Sequence, residues 1–123
     1  MVRRCLIVDD NQRFLDVARS CLEREGIEVL ATATTIAEAM QKVAEHHPDF
    51  VLVDVALGTE SGFELTRRLV AVFPELRSRI VLISTRVEED FDDLVRTSPA
   101  AGFLAKSMLS AAGIRELLSG GQQ

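Results

Sequence analysis

Five polar side chains in this 123-residue sequence stand at or just after the ends of short apolar runs. Two aspartates follow the run at residues 5–8, and one follows the run at residues 50–53. A serine and a lysine follow two later runs. Carboxylates, a hydroxyl and an ammonium can bind a cation and an anion if the fold brings them together, and the third carboxylate could be a nucleophile or a ligand. In chain order the five are Asp9, Asp10, Asp54, Ser84 and Lys106.

The apolar runs alternate with segments of helical periodicity, which predicts five strand-then-helix units. The predicted strands lie at residues 5–8, 27–31, 50–54, 80–83 and 102–104. The first, third and fourth are continuously apolar, as strands covered on both faces should be, whereas the second and fifth are mixed or short. This pattern predicts an α/β fold, a doubly wound, flavodoxin-like parallel sheet with strand order 2-1-3-4-5.

The helices between the strands carry recognisable start and stop signals. Thr35 with Glu38, and Ser61 with Glu64, have the capping-box spacing, while Gly26 suits a left-handed position after the first helix. Residues 88–90 place negative charge at the start of the fourth helix. The predicted inward stripes are Phe14, Val17, Ala18, Cys21 and Leu22; Ile36, Ala39, Met40, Val43 and Ala44; Leu65, Leu69, Val72 and Phe73; Phe91, Leu94 and Val95; and Ala111, Ile114, Leu117 and Leu118.

Length and composition limit the classes of function. The chain is expected to be one domain, residues 1–118, with residues 119–123 as a flexible tail or the start of a linker. With 47% hydrophobic residues and no apolar run near membrane-span length, it should be soluble, and the absence of a secretion signal predicts the cytoplasm. A net charge of −5 argues against direct nucleic-acid binding. Cys5 and Cys21 are expected to be buried, reduced thiols.

The carboxyl ends of parallel strands meet at one edge of the sheet, and ligands bind there at the switch in strand order. Since neighbouring strands are roughly 4.8 Å apart, Asp10 and Asp54 should reach one cation. Taken singly, each polar residue is more often a helix cap, a turn residue or a solvated surface group. Together, carboxylates about 4 Å apart repel by about 4 kcal/mol at an effective dielectric of 20, so a positive charge is expected. Oxygen ligands without His or Cys favour Mg²⁺, or Mn²⁺.

These residues, in this order and at these spacings, resemble the receiver domain of two-component response regulators. The resemblance covers nearly the whole chain, from Asp9-Asp10 through Asp54 and Ser84 to the segment Phe103-Leu104-Ala105-Lys106. It implies that the domain accepts a phosphoryl group from a histidine kinase or phosphotransfer protein. The response would appear on the face formed by the fourth helix, fifth strand and fifth helix, with homodimerisation on phosphorylation as an option.

The resemblance also implies a role for each site residue. Asp54 would be the phosphoacceptor, and Asp10, Asp54 and the backbone carbonyl of Ala56 would bind Mg²⁺, with Asp9 assisting through water. Ser84 and Lys106 would hold the phosphoryl oxygens. Phe103 would turn inward when Ser84 moves; by its position alone it is a core aromatic on an edge strand.

Two departures from the family pattern motivate a second interpretation. Ser107 follows Lys106 where the family usually has a proline with a cis peptide bond, and Thr85 replaces the usual alanine. The alternative is therefore a receiver-like interaction module that is never phosphorylated. A Mg²⁺-dependent aspartyl phosphatase is disfavoured, because such enzymes need a second aspartate two residues after the nucleophile and Ala56 occupies that place.

Overall fold

Five parallel strands form the centre of the molecule. The structure is a computed structural model that describes residues 4–85 and 92–120, without the side chains of residues 92–94 and 120. The sheet has the order β2-β1-β3-β4-β5, which confirms the predicted doubly wound topology. Val8 of β1 pairs with Val53 of β3, and Asp54 pairs with Ile83 of β4. The strands are β1 (Arg4–Val8), β2 (Glu28–Ala33), β3 (Phe50–Asp54), β4 (Ile80–Ser84) and β5 (Gly102–Ala105).

Five α-helices connect or follow these strands, as the periodicity predicts. They are α1 (Gln12–Arg24), α2 (Ile36–His46), α3 (Gly62–Val72), α4 (Asp92–Thr97) and α5 (Ala111–Gly120). A short antiparallel hairpin lies between β3 and α3, and its two strands are Ala56–Leu57 and Glu60–Ser61. A 3₁₀ turn, Lys106–Met108, follows β5. No helix in the described part of the chain is long and apolar enough to cross a membrane.

The sheet divides the core into two layers, because successive side chains of a strand point to opposite faces. Val51 and Val53 of β3 belong to one layer together with residues of α2 and α3. Phe50 and Leu52 belong to the other layer, with residues of α1 and α5. All of β3 and β4 is buried, which explains why these strands are continuously apolar up to their last residues.

Side-chain caps fix where the helices begin. Asn11 caps α1 by accepting a hydrogen bond from the Phe14 N–H, and the Thr35 and Ser61 hydroxyls accept bonds from the N–H groups of Glu38 and Glu64. The reciprocal half of each expected capping box is absent from the described contacts. The Glu38 carboxylate accepts from the Thr34 N–H instead, and Glu64 pairs with two arginines of its own helix.

Several predicted helix faces are corrected by the structure. Val17 is 62% exposed, whereas Leu15 is buried together with Ala18 and Leu22, so the buried stripe of α1 is rotated from the predicted one. Val72 at the end of α3 is 59% exposed. In each case the segment holds more apolar residues than one face can bury, and the pattern could not choose among them.

Other predicted element boundaries differ from the structure or lie outside the residues that it describes. The expected tail began at residue 119, but α5 continues to Gly120. The predicted acidic start of the fourth helix at residues 88–90, and Phe91, lie outside the described residues. Gly26 has φ +90°, as its predicted left-handed position requires.

The two thiols are free, as expected, but differ in environment. Cys5 is buried in β1, whereas Cys21 is partly exposed. Burial raises the pKa of the Cys5 thiol to about 12. Cys5 therefore behaves as a small apolar side chain.

Candidate phosphoacceptor site

The ends of β1 and β3 place two carboxylates side by side. Because Val8 is the register partner of Val53, Asp9, directly after β1, comes next to Asp54, the last residue of β3. Asp9 is 0% exposed and Asp54 is 7% exposed. Asp10, one residue further, is exposed. Carboxylate oxygens of the three aspartates all lie within 4.8 Å of one another.

Lys106 supplies the positive charge that this cluster requires. Its Nζ lies 2.5 Å from Asp9 Oδ2 and 3.0 Å from Asp54 Oδ2, so one ammonium bridges the two buried carboxylates. The side chain of Lys106 is 12% exposed. The bridge is thus shielded from bulk water, and its electrostatic interaction is stronger than that of a surface pair.

The two ends of the Lys106–Asp9 pair respond differently to burial. Burial raises the pKa of Asp9 above its usual value, although the Lys106 ammonium and the Asn11 N–H act in the opposite direction. Burial lowers the pKa of Lys106, but its interactions with Asp9 and Asp54 outweigh this effect and leave it raised. Desolvation dominates at Asp9 because that side chain is completely enclosed, whereas Lys106 keeps some access to solvent.

Backbone groups hold the remaining carboxylate oxygens. Asp9 Oδ1 accepts a hydrogen bond from the Asn11 N–H at 2.8 Å, and Asp54 Oδ1 accepts one from the Ala56 N–H at 3.0 Å. Each carboxylate is therefore fixed by its own following turn on one side and by Lys106 on the other.

A cleft opens beside this cluster and makes Asp54 accessible. Its volume is about 360 Å³, and Ser84, Thr85 and the hairpin residues contribute to its wall. Gly58 adopts φ +64°, and a side chain added there would come within 3.6 Å of Asp10 Oδ2. The cleft therefore gives small molecules access to the Asp54 carboxylate beside the Ser84 hydroxyl. Its lining residues are Asp10, Asp54, Val55, Ala56, Gly58, Ser84 and Thr85.

The donor set suits a hard cation. Three carboxylates within reach of one another supply oxygen ligands alone, and the exposed Asp10 leaves a path for hydrated ions. Lys106 offsets only one of the three potential negative charges, so a divalent cation is compatible with the charge balance. The residues present therefore fit Mg²⁺ or Mn²⁺.

The expected convergence of the site residues at one sheet edge is confirmed. Asp9, Asp10, Asp54 and Lys106 meet, and Ser84, 3% exposed, lines the same cleft. Phe103 is 7% exposed and belongs to the core layer of α2 and α3 rather than to the cleft. The Lys106–Ser107 peptide bond is trans, in contrast to the usual family geometry.

One residue at the site was not predicted there. The Phe14 ring of α1 lies 4.2 Å from Lys106 Nζ, measured to the ring centroid. Its position in a helical apolar pattern predicts a core residue, and no sequence signal links it to a lysine 92 positions later. Only the tertiary fold brings the two side chains together.

The fold and the site together define a doubly wound α/β protein with an acidic pocket at the switch in strand order. The family of response regulator receiver domains matches residues 5–118. The chain belongs to this family, which consists of signalling domains of two-component systems.

Relatives and solved structures agree with this assignment. The chain is 29% identical to the response regulator GacA of Pseudomonas viridiflava over 116 residues, covering 94% of this chain and 51% of GacA. It is 36% identical to the polar-differentiation response regulator DivK of Brucella ovis over 69 residues, covering 56% of this chain and 55% of DivK. The chain thus spans about half the length of these relatives.

A structure of a LuxR-family response regulator from Aurantimonas superposes with a TM-score of 0.85 and 26% identity, covering 98% of this chain and 87% of that one. A response regulator from Burkholderia pseudomallei, solved with a phosphorylated aspartic acid, a calcium ion and citrate, superposes with a TM-score of 0.81. It is 25% identical, and the superposition covers 98% of this chain and 69% of that one.

Proposed function

We propose that this domain accepts a phosphoryl group on Asp54 in a Mg²⁺-dependent reaction and passes the signal on through a change in conformation. The observation that carries the proposal is the bridge of Lys106 between two buried carboxylates beside an open cleft. An ion pair with only a structural role would not need the adjoining cleft. The phosphorylated aspartic acid of the Burkholderia relative supports the same chemistry here.

Asp54 is the proposed nucleophile. The hydrogen bond from Ala56 and the ion pair with Lys106 fix its carboxylate, while the cleft gives a donor access to it. A carboxylate oxygen attacks the phosphorus of a phosphohistidine, the P–N bond breaks, and its electron pair remains on the imidazole nitrogen. The product is an aspartyl phosphate, which water later hydrolyses to inorganic phosphate and the free carboxylate.

The other site residues stabilise the charge of the transferred group. Lys106 can turn its ammonium toward a phosphoryl oxygen from its position beside Asp54, and Ser84 can donate its hydroxyl from the wall of the cleft. Asp10 and Asp54, with Asp9 and the Ala56 carbonyl, would hold Mg²⁺, which would supply further positive charge to the phosphoryl oxygens.

The proposed response begins at the ends of β4 and β5. If Ser84 and Lys106 move toward the new phosphoryl group, the packing of Phe103, which lies earlier on β5 and pairs with Leu82, must adjust. Ser84 and Phe103 are the proposed switch residues, and the surface of α4, β5 and α5 is the proposed output face. The proposed setting is the cytoplasm, with a histidine kinase or phosphotransfer protein as donor.

The test is incubation of the purified protein with a small acyl phosphate and Mg²⁺, followed by mass spectrometry. We expect the wild type to gain the mass of one phosphoryl group, and the Asp54→Asn variant to gain none. Asp16→Asn, which changes an exposed aspartate of α1, is the matched control and should react like the wild type. A wild type without adduct, although folded and able to bind Mg²⁺, would instead favour the non-phosphorylated interaction module.

A further inference from the structure

The ammonium of Lys106 lies between two kinds of partner. The carboxylates of Asp9 and Asp54 form ion pairs with Nζ, and the centroid of the Phe14 ring is 4.2 Å from the same atom. An aromatic face attracts a cation at this distance through its quadrupole. The ring therefore contacts the charged end of Lys106 rather than only its apolar stem.

Lys106 needs such a restraint because of its side chain and its place in the fold. A lysine has a flexible four-carbon stem, and Lys106 directly follows β5, an edge strand of the sheet. Held only by carboxylates, the ammonium could follow either of them or turn to solvent. A third partner that contacts the ammonium reduces this freedom.

The first turn of α1 connects the ring to the same site. The Asn11 N–H donates to Asp9 Oδ1, and the Asn11 side chain accepts from the Phe14 N–H at 3.2 Å. Phe14 contacts Lys106, and Lys106 contacts Asp9. The four contacts thus connect Asp9, Asn11, Phe14 and Lys106 in a ring, so the turn that binds the buried carboxylate also holds the helix position that carries the Phe14 ring.

We propose that Phe14 is a positioning residue for phosphoryl transfer, whose ring keeps the Lys106 ammonium beside the Asp54 oxygen that receives the phosphoryl group. The inference rests on the proposed function and assigns part of the rate of phosphoryl transfer to a residue outside the acidic cluster. In this scheme Phe14 contacts neither the phosphoryl donor nor the metal ion. It acts through Lys106 alone.

A purely apolar role for Phe14 makes a different prediction. The ring also packs against the core layer of α1 and α5, and leucine could fill much of that space. Leucine has no aromatic face for the ammonium, whereas tyrosine keeps the ring. Comparing Phe14→Leu with Phe14→Tyr therefore distinguishes the effect of the aromatic ring from the effect of side-chain volume.

The rate experiment measures phosphorylation by a saturating small acyl phosphate with Mg²⁺. We expect Phe14→Leu to lower the maximal rate about two- to tenfold, with little change in the donor concentration for half-maximal rate, and Phe14→Tyr to restore it. Leu15→Val is the matched control, because it loosens the neighbouring, fully buried position of α1 without touching Lys106. It should lower the melting temperature and leave the rate unchanged.

A second measurement tests the contact without phosphorylation. The sequence contains two lysines, Lys42 and Lys106, so their ε-methylene proton signals can be assigned by substitution. In the wild type and Phe14→Tyr, the ring should shift the Lys106 signal upfield. In Phe14→Leu it should return toward the Lys42 value.

Three results would overturn the proposal: a wild-type rate for Phe14→Leu, an equally slow Leu15→Val, or a Phe14→Tyr variant that is not restored. These results differ from a failure of the proposed function. If the proposed function fails, neither the wild type nor any variant will carry a phosphoryl group, while the Lys106 signal will still report the contact with Phe14.

Discussion

At the scale of single residues, the site depends on an unequal balance of charge. Three carboxylates meet one ammonium, and the most enclosed carboxylate, Asp9, also has the closest contact with Lys106. Removing one partner of a buried pair leaves the other desolvated and without compensation, which costs more than the pair contributes while intact. Lys106 should thus stabilise the fold as well as serve the proposed chemistry.

This predicts a loss of stability for Lys106→Met, which keeps the apolar stem and removes the charge. We expect the free energy of unfolding, measured by urea denaturation without divalent cations, to fall by about 3 kcal/mol. Lys42→Met on α2 is the matched control and should remain within about 0.5 kcal/mol of the wild type. If the two variants were equally stable, Lys106 would not be the charge that compensates Asp9.

At the scale of secondary structure, the segment between β3 and α3 forms the rim of the site. Its hairpin is anchored at two ends: the Gly62 N–H donates to the Val55 carbonyl, and Glu60 Oε1 accepts from the Ile36 N–H at the start of α2. A side chain at Gly62 would overlap the carbonyl oxygen of Asp54 and come within 2.9 Å of Val55 Cα. Only glycine lets α3 begin so close to Asp54, the proposed nucleophile.

We therefore expect Gly62→Ala to push α3 away from the end of β3. Backbone atoms must move, so the free energy of unfolding should fall by about 1–3 kcal/mol, and the rate of phosphorylation should fall with it. Gly113→Ala on α5 is the control, because its added methyl would meet side-chain atoms of Ser110 and Leu104 at 3.2 Å and beyond. Equal stabilities for both variants in urea denaturation would contradict the close approach at Gly62.

At the scale of the whole molecule, the sheet brings together side chains from four strand ends that are up to 97 residues apart in sequence. The folded chain alone has this arrangement, so a cation that binds there should stabilise the fold relative to the unfolded chain. Cation binding at the acidic pocket would thereby couple global stability to cation concentration.

The free energy of unfolding should accordingly rise with Mg²⁺ concentration. Above the dissociation constant, we expect about 1.4 kcal/mol for each tenfold increase. Asp10→Asn should lower the affinity and so shift this rise to higher Mg²⁺ concentration, while Asp16→Asn should leave it at the wild-type concentration. Potassium chloride at matched ionic strength measures charge screening alone, and an equal effect of both salts would show that no specific cation site exists.

The sequence by itself determined the order of the elements and the strand order of the sheet. Continuous apolar runs marked β1, β3 and β4 as central strands, and the parallel arrangement of all five strands predicted that Asp9, Asp10, Asp54, Ser84 and Lys106 would meet. The reason is physical: parallel strands separated by helices have their carboxyl ends at one edge. The family resemblance then indicated a role for each residue.

Tertiary structure decided the remaining details, because they depend on rotation and reach rather than on pattern. Asp9 and Asp10 are adjacent and chemically identical, but only their directions at the end of β1 make one buried and the other exposed. The apolar pattern of α1 could not distinguish Val17, which faces solvent, from Leu15, which is buried. Lys106 could have reached several neighbours, and only packing placed its ammonium between Asp9, Asp54 and Phe14.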